Sequence, residues 1–342
     1  MNTIDLVRSY LAADVPCLLW GAPGTGKTAA IHALARGELA HVEVLIGSTL
    51  DPLDVGGYLL PSKHEVRSAP PPWAVRLRKA LDAKKTVWLV LDELSCAPPS
   101  VQAALLRVVN ERRVGELDLR GCRVVAAANP AETAADGGDL SAAAANRWAH
   151  LEWTPDVTAW AGGTLANWGQ GHATPRHAEI AASVASHLQR LPGDLLAVPE
   201  DLARAGRAWP SPRSWSAAIA AVSAAPDTLS LRLAEGCVGP AAQAWHTSHI
   251  SRDLPNPEAV LSGAVELPTR GDKAATTLAA VVAAALCEHP DQITRVDRAW
   301  GVLVSARADV AVSAARALLA GHARIPPAAV EYAERLHGGG VR

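Results

Sequence analysis

Two rhythms alternate along the first half of the chain. Compact apolar runs at Cys17–Trp20, Val42–Ile46, Thr86–Leu91 and Arg123–Ala128 predict strands. The third, apolar without interruption, is of the kind that a parallel sheet buries on both faces. Helical spacing fills the gaps between them. Leu6–Ala13 predicts one helix. Lys27–Arg36 predicts a second, with Ile31, Leu34 and Ala35 on one face and Gly37 as its stop. Ser100–Glu111 predicts a third, with Val101, Leu105 and Val108 on one stripe. Strand and helix in this alternation point to a doubly wound parallel sheet. Past Thr154 the strand signals end. Helices are predicted over His177–Leu191, Ser214–Ala224, Leu229–Ala234, Lys273–Glu288 and Ala308–Ala320. Proline-bearing breaks at Leu191-Pro192, Trp209–Pro212 and Asp253–Pro257 separate them.

Composition narrows the function classes. A length of 342 residues suits two or three domains, and 49% apolar content is enough for sizeable cores. Lysine and arginine number 32 against 34 acidic residues, so there is no general electrostatic case for nucleic acid or an anionic membrane. Phenylalanine is absent and tryptophan occurs 11 times, which hands the bulky core positions to Leu, Val and Trp. Five scattered cysteines (Cys17, Cys96, Cys122, Cys237, Cys287) form no CxxC pair and predict reduced, buried thiols. The first ten residues carry Asp5 and Arg8 where a signal peptide needs apolar residues. No run approaches the roughly 18 apolar residues of a membrane helix. A cytoplasmic protein is expected. The 12 histidines show no metal-ligand spacing and no nucleophile arrangement.

The chemistry sits at the strand ends. Gly21-Ala22-Pro23-Gly24-Thr25-Gly26-Lys27-Thr28 fits G-x-x-x-x-G-K-[ST] in full, with a predicted strand before it and a helix after it. Such a loop turns backbone N–H groups toward phosphates and adds the positive end of the following helix. Lys27 is placed to reach the β- and γ-phosphates, and the Thr28 hydroxyl to sit on magnesium. Asp92 and Glu93 end the strand starting at Thr86, on the side of a parallel sheet where ligands bind. Asp92 is then a candidate magnesium holder, and Glu93 a candidate base for an attacking water. Asn129, at the end of the strand running to Ala128, is a candidate to orient that water or touch the γ-phosphate.

Taken together, Gly21–Thr28, Asp92-Glu93, Asn129, Arg147 and Arg213 resemble the AAA+ ATPases in order and spacing. Three stretches resemble the MoxR-like branch more narrowly: Leu50–Gly57, Leu105-Leu106-Arg107 with Asn110–Val114, and Ala128-Asn129-Pro130. The resemblance spans residues 1–235. It implies that Asn129 is sensor 1, that Arg147 in Asn146-Arg147-Trp148 is an arginine finger, and that Arg213 is the sensor 2 arginine. The family usually has Asp and Phe on either side of the finger, so Asn146 and Trp148 are departures.

The resemblance further implies a P-loop αβα domain over 1–153, a helical lid over 154–235 and a helical extension over 236–342. Tyr58–Val66 would be the insert before the second main helix, and Val114–Leu119 one arm of a hairpin. Leu59 and Leu60 would either contact a partner in a ring's pore or pack within their hairpin. The activity implied is ATP hydrolysis with magnesium in a homo-oligomeric ring, expected to be a hexamer. By the same resemblance the ring remodels a protein partner, often one with a von Willebrand factor A domain, or a metalloenzyme being matured. Two alternatives stay open. One is a DNA-directed motor, for which only Lys63, His64 and Arg67 are available; the other is a nucleotide-gated interaction module that hydrolyses slowly or not at all.

Overall fold

A computed structural model describes residues 3–61, 66–131, 140–169, 174–201, 205–250, 254–269, 271–287, 289–322, 326–327, 329–330 and 332. The chain divides into two compact units, Met1–Thr154 and Pro155–Arg342.

The first unit is built on a five-stranded sheet in the order β2-β5-β8-β1-β9, formed by β1 (Cys17–Trp20), β2 (His41–Ile46), β5 (Val87–Asp92), β8 (Cys122–Ala128) and β9 (Ala149–Glu152). Every pairing is parallel. Two short antiparallel hairpins lie between these strands: β3 (Tyr58–Pro61) with β4 (Val66–Ala69), and β6 (Arg113–Val114) with β7 (Leu117–Asp118). Period-2 alternation splits the buried side chains between two layers. Leu18, Leu89, Leu91, Val124 and Ala126 pack with α4 (Pro72–Asp82) and α5 (Pro99–Glu111). Cys17, Leu19, Trp88, Val90, Val125 and Ala127 pack with α1 (Thr3–Ala12) and α2 (Lys27–Gly37). The fold is thus the P-loop αβα sandwich. Two further helices are short, α3 (Pro52–Gly56) and α6 (Ala142–Ala145).

Several expectations shift. Gly37 is the last residue of α2 and not its stop; the left-handed turn falls on Leu39 (φ 53°), and Ala40 N–H closes back on Ala35 O at 2.9 Å. Val114–Leu119 is not one hairpin arm, because the chain reverses between Val114 and Leu117. The pattern also passes over α4 and the edge strand β9, whose sequence Ala-His-Leu-Glu buries only Leu151. Lys63, His64 and the side chains of Leu59 and Arg67 lie outside the described residues. Leu60 is exposed.

The second unit is helical. Its α7 (Val157–Leu165) and α8 (Pro175–Arg190) feed two cores with different faces. Trp160, Ile180, Val184 and Leu188 meet Trp215, Ile219, Val238 and Trp245. Ala161, Leu165, Ala178, Ala182 and Ala185 meet Leu278, Val281, Val282, Trp300 and Leu318. Helices Ala241–Ile250, Pro257–Leu261 and Gln292–Ser305, with α7, are additions to the predicted set. Among the described residues no helix is long and apolar enough to cross a membrane.

Candidate nucleotide site

Because β1, β5 and β8 are parallel neighbours, their C-terminal ends open on the same side of the sheet, where open α/β folds bind ligands. Trp20 leads directly into the phosphate loop, Asp92 ends β5, and Asn129 follows Ala128. In the loop, Gly24 and Gly26 take left-handed backbone (φ 73° and 91°), which glycine adopts without penalty. Gly21 is needed for a different reason: a Cβ there would meet the carbonyl oxygen of Trp153 at 2.4 Å. Trp153 also donates its indole N–H to Thr25 O at 3.1 Å, while the Thr25 hydroxyl donates to Ala22 O at 2.7 Å. Pro23 lies half-buried between these ties.

The sequence-predicted groups converge. Lys27, buried at the first position of α2, donates its ammonium to Gly21 O (2.7 Å), Ala22 O (3.0 Å) and Asn129 Oδ1 (2.8 Å). Thr28 Oγ1 donates to Asp92 Oδ2 at 2.9 Å. A hydroxyl and a carboxylate this close are hard oxygen donors of the kind Mg²⁺ accepts, since that ion keeps several waters and takes one or two protein ligands. Among the described residues no cluster of three or more His, Cys, Asp or Glu offers a competing metal site.

Glu93 stands in the left-handed region (φ 53°, ψ 39°), uncommon for a residue with a side chain. Its amide donates to Asp92 Oδ1 (3.0 Å), and the hydroxyl of Ser48 donates to Glu93 Oε2 (2.6 Å). Ser48 reaches it because β2 pairs with β5, with Ile46 opposite Asp92. Gly47 completes the fit, since a Cβ there would stand 2.6 Å from Glu93 O. The buried Ser95 pins the backbone of Asn129, donating to Asn129 O (3.0 Å) and accepting from Asn129 N–H (3.3 Å). Ser48, Ser95, Gly47 and Trp153 carry no sequence signal of their own. They become visible only once the strand order is known.

Arg147 is exposed just beyond α6, and its guanidinium donates to Ala143 O at 3.2 Å. Arg213 is exposed at the second position of the helix Pro212–Ser223, in the second unit. A capping box between Ser211 and Ser214 opens that helix. Arg112, within the Glu111-Arg112 segment, is a structural residue: it caps α5 with φ 52° and donates to Cys122 O at 3.2 Å from a buried position.

Comparison with known proteins agrees with the geometry. Residues 16–147 match the family model of the AAA domain, dynein-related subfamily. No curated protein matches the chain significantly. Among solved structures, the chain is similar to the RuvB Holliday junction branch migration motor of Thermotoga maritima (14% identity, 80% of this chain and 81% of that one, TM-score 0.37). It is also similar to a putative ATPase from Cytophaga hutchinsonii (18% identity, 69% and 79%, TM-score 0.31).

A P-loop sheet, an acidic pair beside it and the matched span together define the class: the first unit carries a P-loop domain similar to the AAA domain, and the reaction this supports is ATP hydrolysis. Within that class, the span matches the dynein-related subfamily.

Proposed function

We propose that this chain works as a ring of identical subunits, expected to be six, whose ATP sites are completed between neighbours and whose turnover remodels a protein partner. The observation that carries the reading is the convergence of Lys27, Thr28, Asp92, Glu93 and Asn129 at three adjacent strand ends. Lys27 and the loop Gly21–Thr28 would bind the β- and γ-phosphates, and Thr28 with Asp92 would hold magnesium, whose charge would offset that of the phosphates. Glu93 orients the attacking water and takes its proton. Asn129, tied to Lys27, sits beside the γ-phosphate. Arg147 is free of this cluster and reads as the finger for the neighbouring subunit, stabilising charge as the γ-phosphate departs. Arg213 reads as a lid arginine able to meet the γ-phosphate with two N–H groups. In this reading residues 154–235 are the lid and 236–342 an extension.

The protein-remodelling role, of the MoxR-like kind and with a von Willebrand factor A domain protein as partner, rests on the resemblance of Leu50–Gly57 and Asn110–Val114. It is supported by an insert hairpin β3–β4 leading from α3 toward α4, with Leu60 exposed.

The test is complementation. Arg147→Ala chains keep a complete site of their own, whereas Glu93→Gln chains keep a finger but cannot activate water. Each alone should turn over slowly, by roughly 10³-fold for loss of the finger, and mixing them should restore activity above either. Full turnover by Arg147→Ala, or no gain on mixing, sinks the shared site. Pull-down of a von Willebrand factor A domain protein, dependent on ATP, tests the partner.

A further inference from the structure

The arginine assigned as finger is carried by a very weak element. α6 is a single turn of four residues, far below the length at which a helix persists by itself. Ser141 caps its start by accepting from Ala144 N–H at 3.2 Å. Its far end is held from outside. Ala145 O accepts from Trp148 N–H at 3.2 Å and again from the imidazole of His150 at 2.9 Å.

His150 stands on β9, opposite Leu18 of β1, and its second nitrogen is also engaged. Trp20 Nε1 lies 2.8 Å from His150 Nδ1, with the two ring planes within 7° of parallel. An indole nitrogen can only donate, so Nδ1 must accept and carries no proton. The proton therefore resides on Nε2, which donates to Ala145 O. One neutral imidazole in one tautomer thus links Trp20, the residue before Gly21 of the phosphate loop, to the turn that presents Arg147.

We infer that His150 is a positioning residue for ATP hydrolysis, setting the finger of one subunit in register with that subunit's own phosphate loop. The inference rests on the shared-site reading, and it adds a route by which the loop of one site and the finger serving the next are mechanically joined. The link runs Gly21, Trp20, His150, Ala145, Arg147. Arg147 adds a bond to Ala143 O within the same turn, so displacement of α6 carries the guanidinium with it.

His150→Leu removes both bonds, while His150→Gln keeps one acceptor and one donor. His150→Leu should lower kcat by on the order of tenfold, with KM for ATP unchanged, because misplacing a group by about an ångström costs rate and not ground-state binding. His150→Gln should recover part of the loss. Mixed with Glu93→Gln chains, whose fingers are intact, the His150→Leu chain should regain turnover. In the Arg147→Ala background, His150→Leu should have no further effect, since both act through one group. Trp20→Phe, which deletes one N–H and keeps an aromatic ring, supplies a milder second variant should His150→Leu fail to fold. If Arg147→Ala is complemented but His150→Leu and Trp20→Phe are not, the inference falls and the shared site stands. Equal losses from His150→Leu with and without Arg147 also overturn it. No complementation for Arg147→Ala removes both.

Discussion

At the scale of residues, the site is an assembly of short bonds with little slack. Lys27 is buried and bonded to two loop carbonyls and Asn129, so Lys27→Ala removes the only buried lysine of the described residues and one end of each bond. ATP binding, followed by fluorescence of a labelled nucleotide, should be lost. Glu93→Gln should retain binding and lose turnover by about 10²–10⁴-fold, the usual contribution of a positioned base. Ser48 and Gly47 hold Glu93 from the turn that follows the neighbouring strand β2. Gly47→Ala forces a methyl group to within 2.6 Å of a backbone oxygen, which must move. The expected outcome is a drop in kcat with ATP affinity retained, measured by steady-state hydrolysis beside nucleotide titration. An unchanged kcat would show that Glu93 tolerates the shift.

At the scale of elements, the sheet relies on tryptophan where many chains would use phenylalanine. Trp88, the second residue of β5, is fully buried against α1 and α2, and its indole N–H has no hydrogen-bond partner among the described residues. Trp88→Ala should cost about 3–5 kcal/mol in urea unfolding, the usual loss for a large aromatic core residue. Trp88→Phe should cost much less, because it removes a buried donor that is unpaired as well as part of a ring. Legibility at this scale follows burial. β5 and β8 were readable because strands covered on both faces are apolar throughout, whereas β9 has one buried side chain in four and leaves almost no pattern. α6 is four alanines, with no polar positions to mark a face.

At the scale of the whole molecule, the cysteines are free thiols distributed over both units. Burial pushes Cys17 and Cys122 up to about 12 from 9.0. A thiol raised in the folded state contributes stability in full below its unfolded value, and that contribution is lost as pH climbs through the folded one. Urea midpoints should therefore fall between pH 9.0 and about 12, and fall less steeply in a Cys17→Ala, Cys122→Ala chain. In the native state at neutral pH, a thiol reagent should label Cys96 and Cys237, which are half-buried, before Cys17, Cys122 and Cys287. Mass spectrometry of the labelled peptides gives the order directly.

The sequence by itself determined the alternating α/β plan, the phosphate loop, and the identity of Lys27, Thr28, Asp92, Glu93 and Asn129 as candidates. These are legible because each rests on local chemistry: a glycine pattern that only one turn satisfies, or a polar residue ending an apolar strand. Which strand lies beside which is a long-range fact with no local signature. Only the tertiary structure decided that β2 borders β5, bringing Ser48 to Glu93, and that β9 borders β1, bringing Trp153 under the loop and His150 to Trp20. These supporting residues are ordinary in type, and packing alone makes them part of the site.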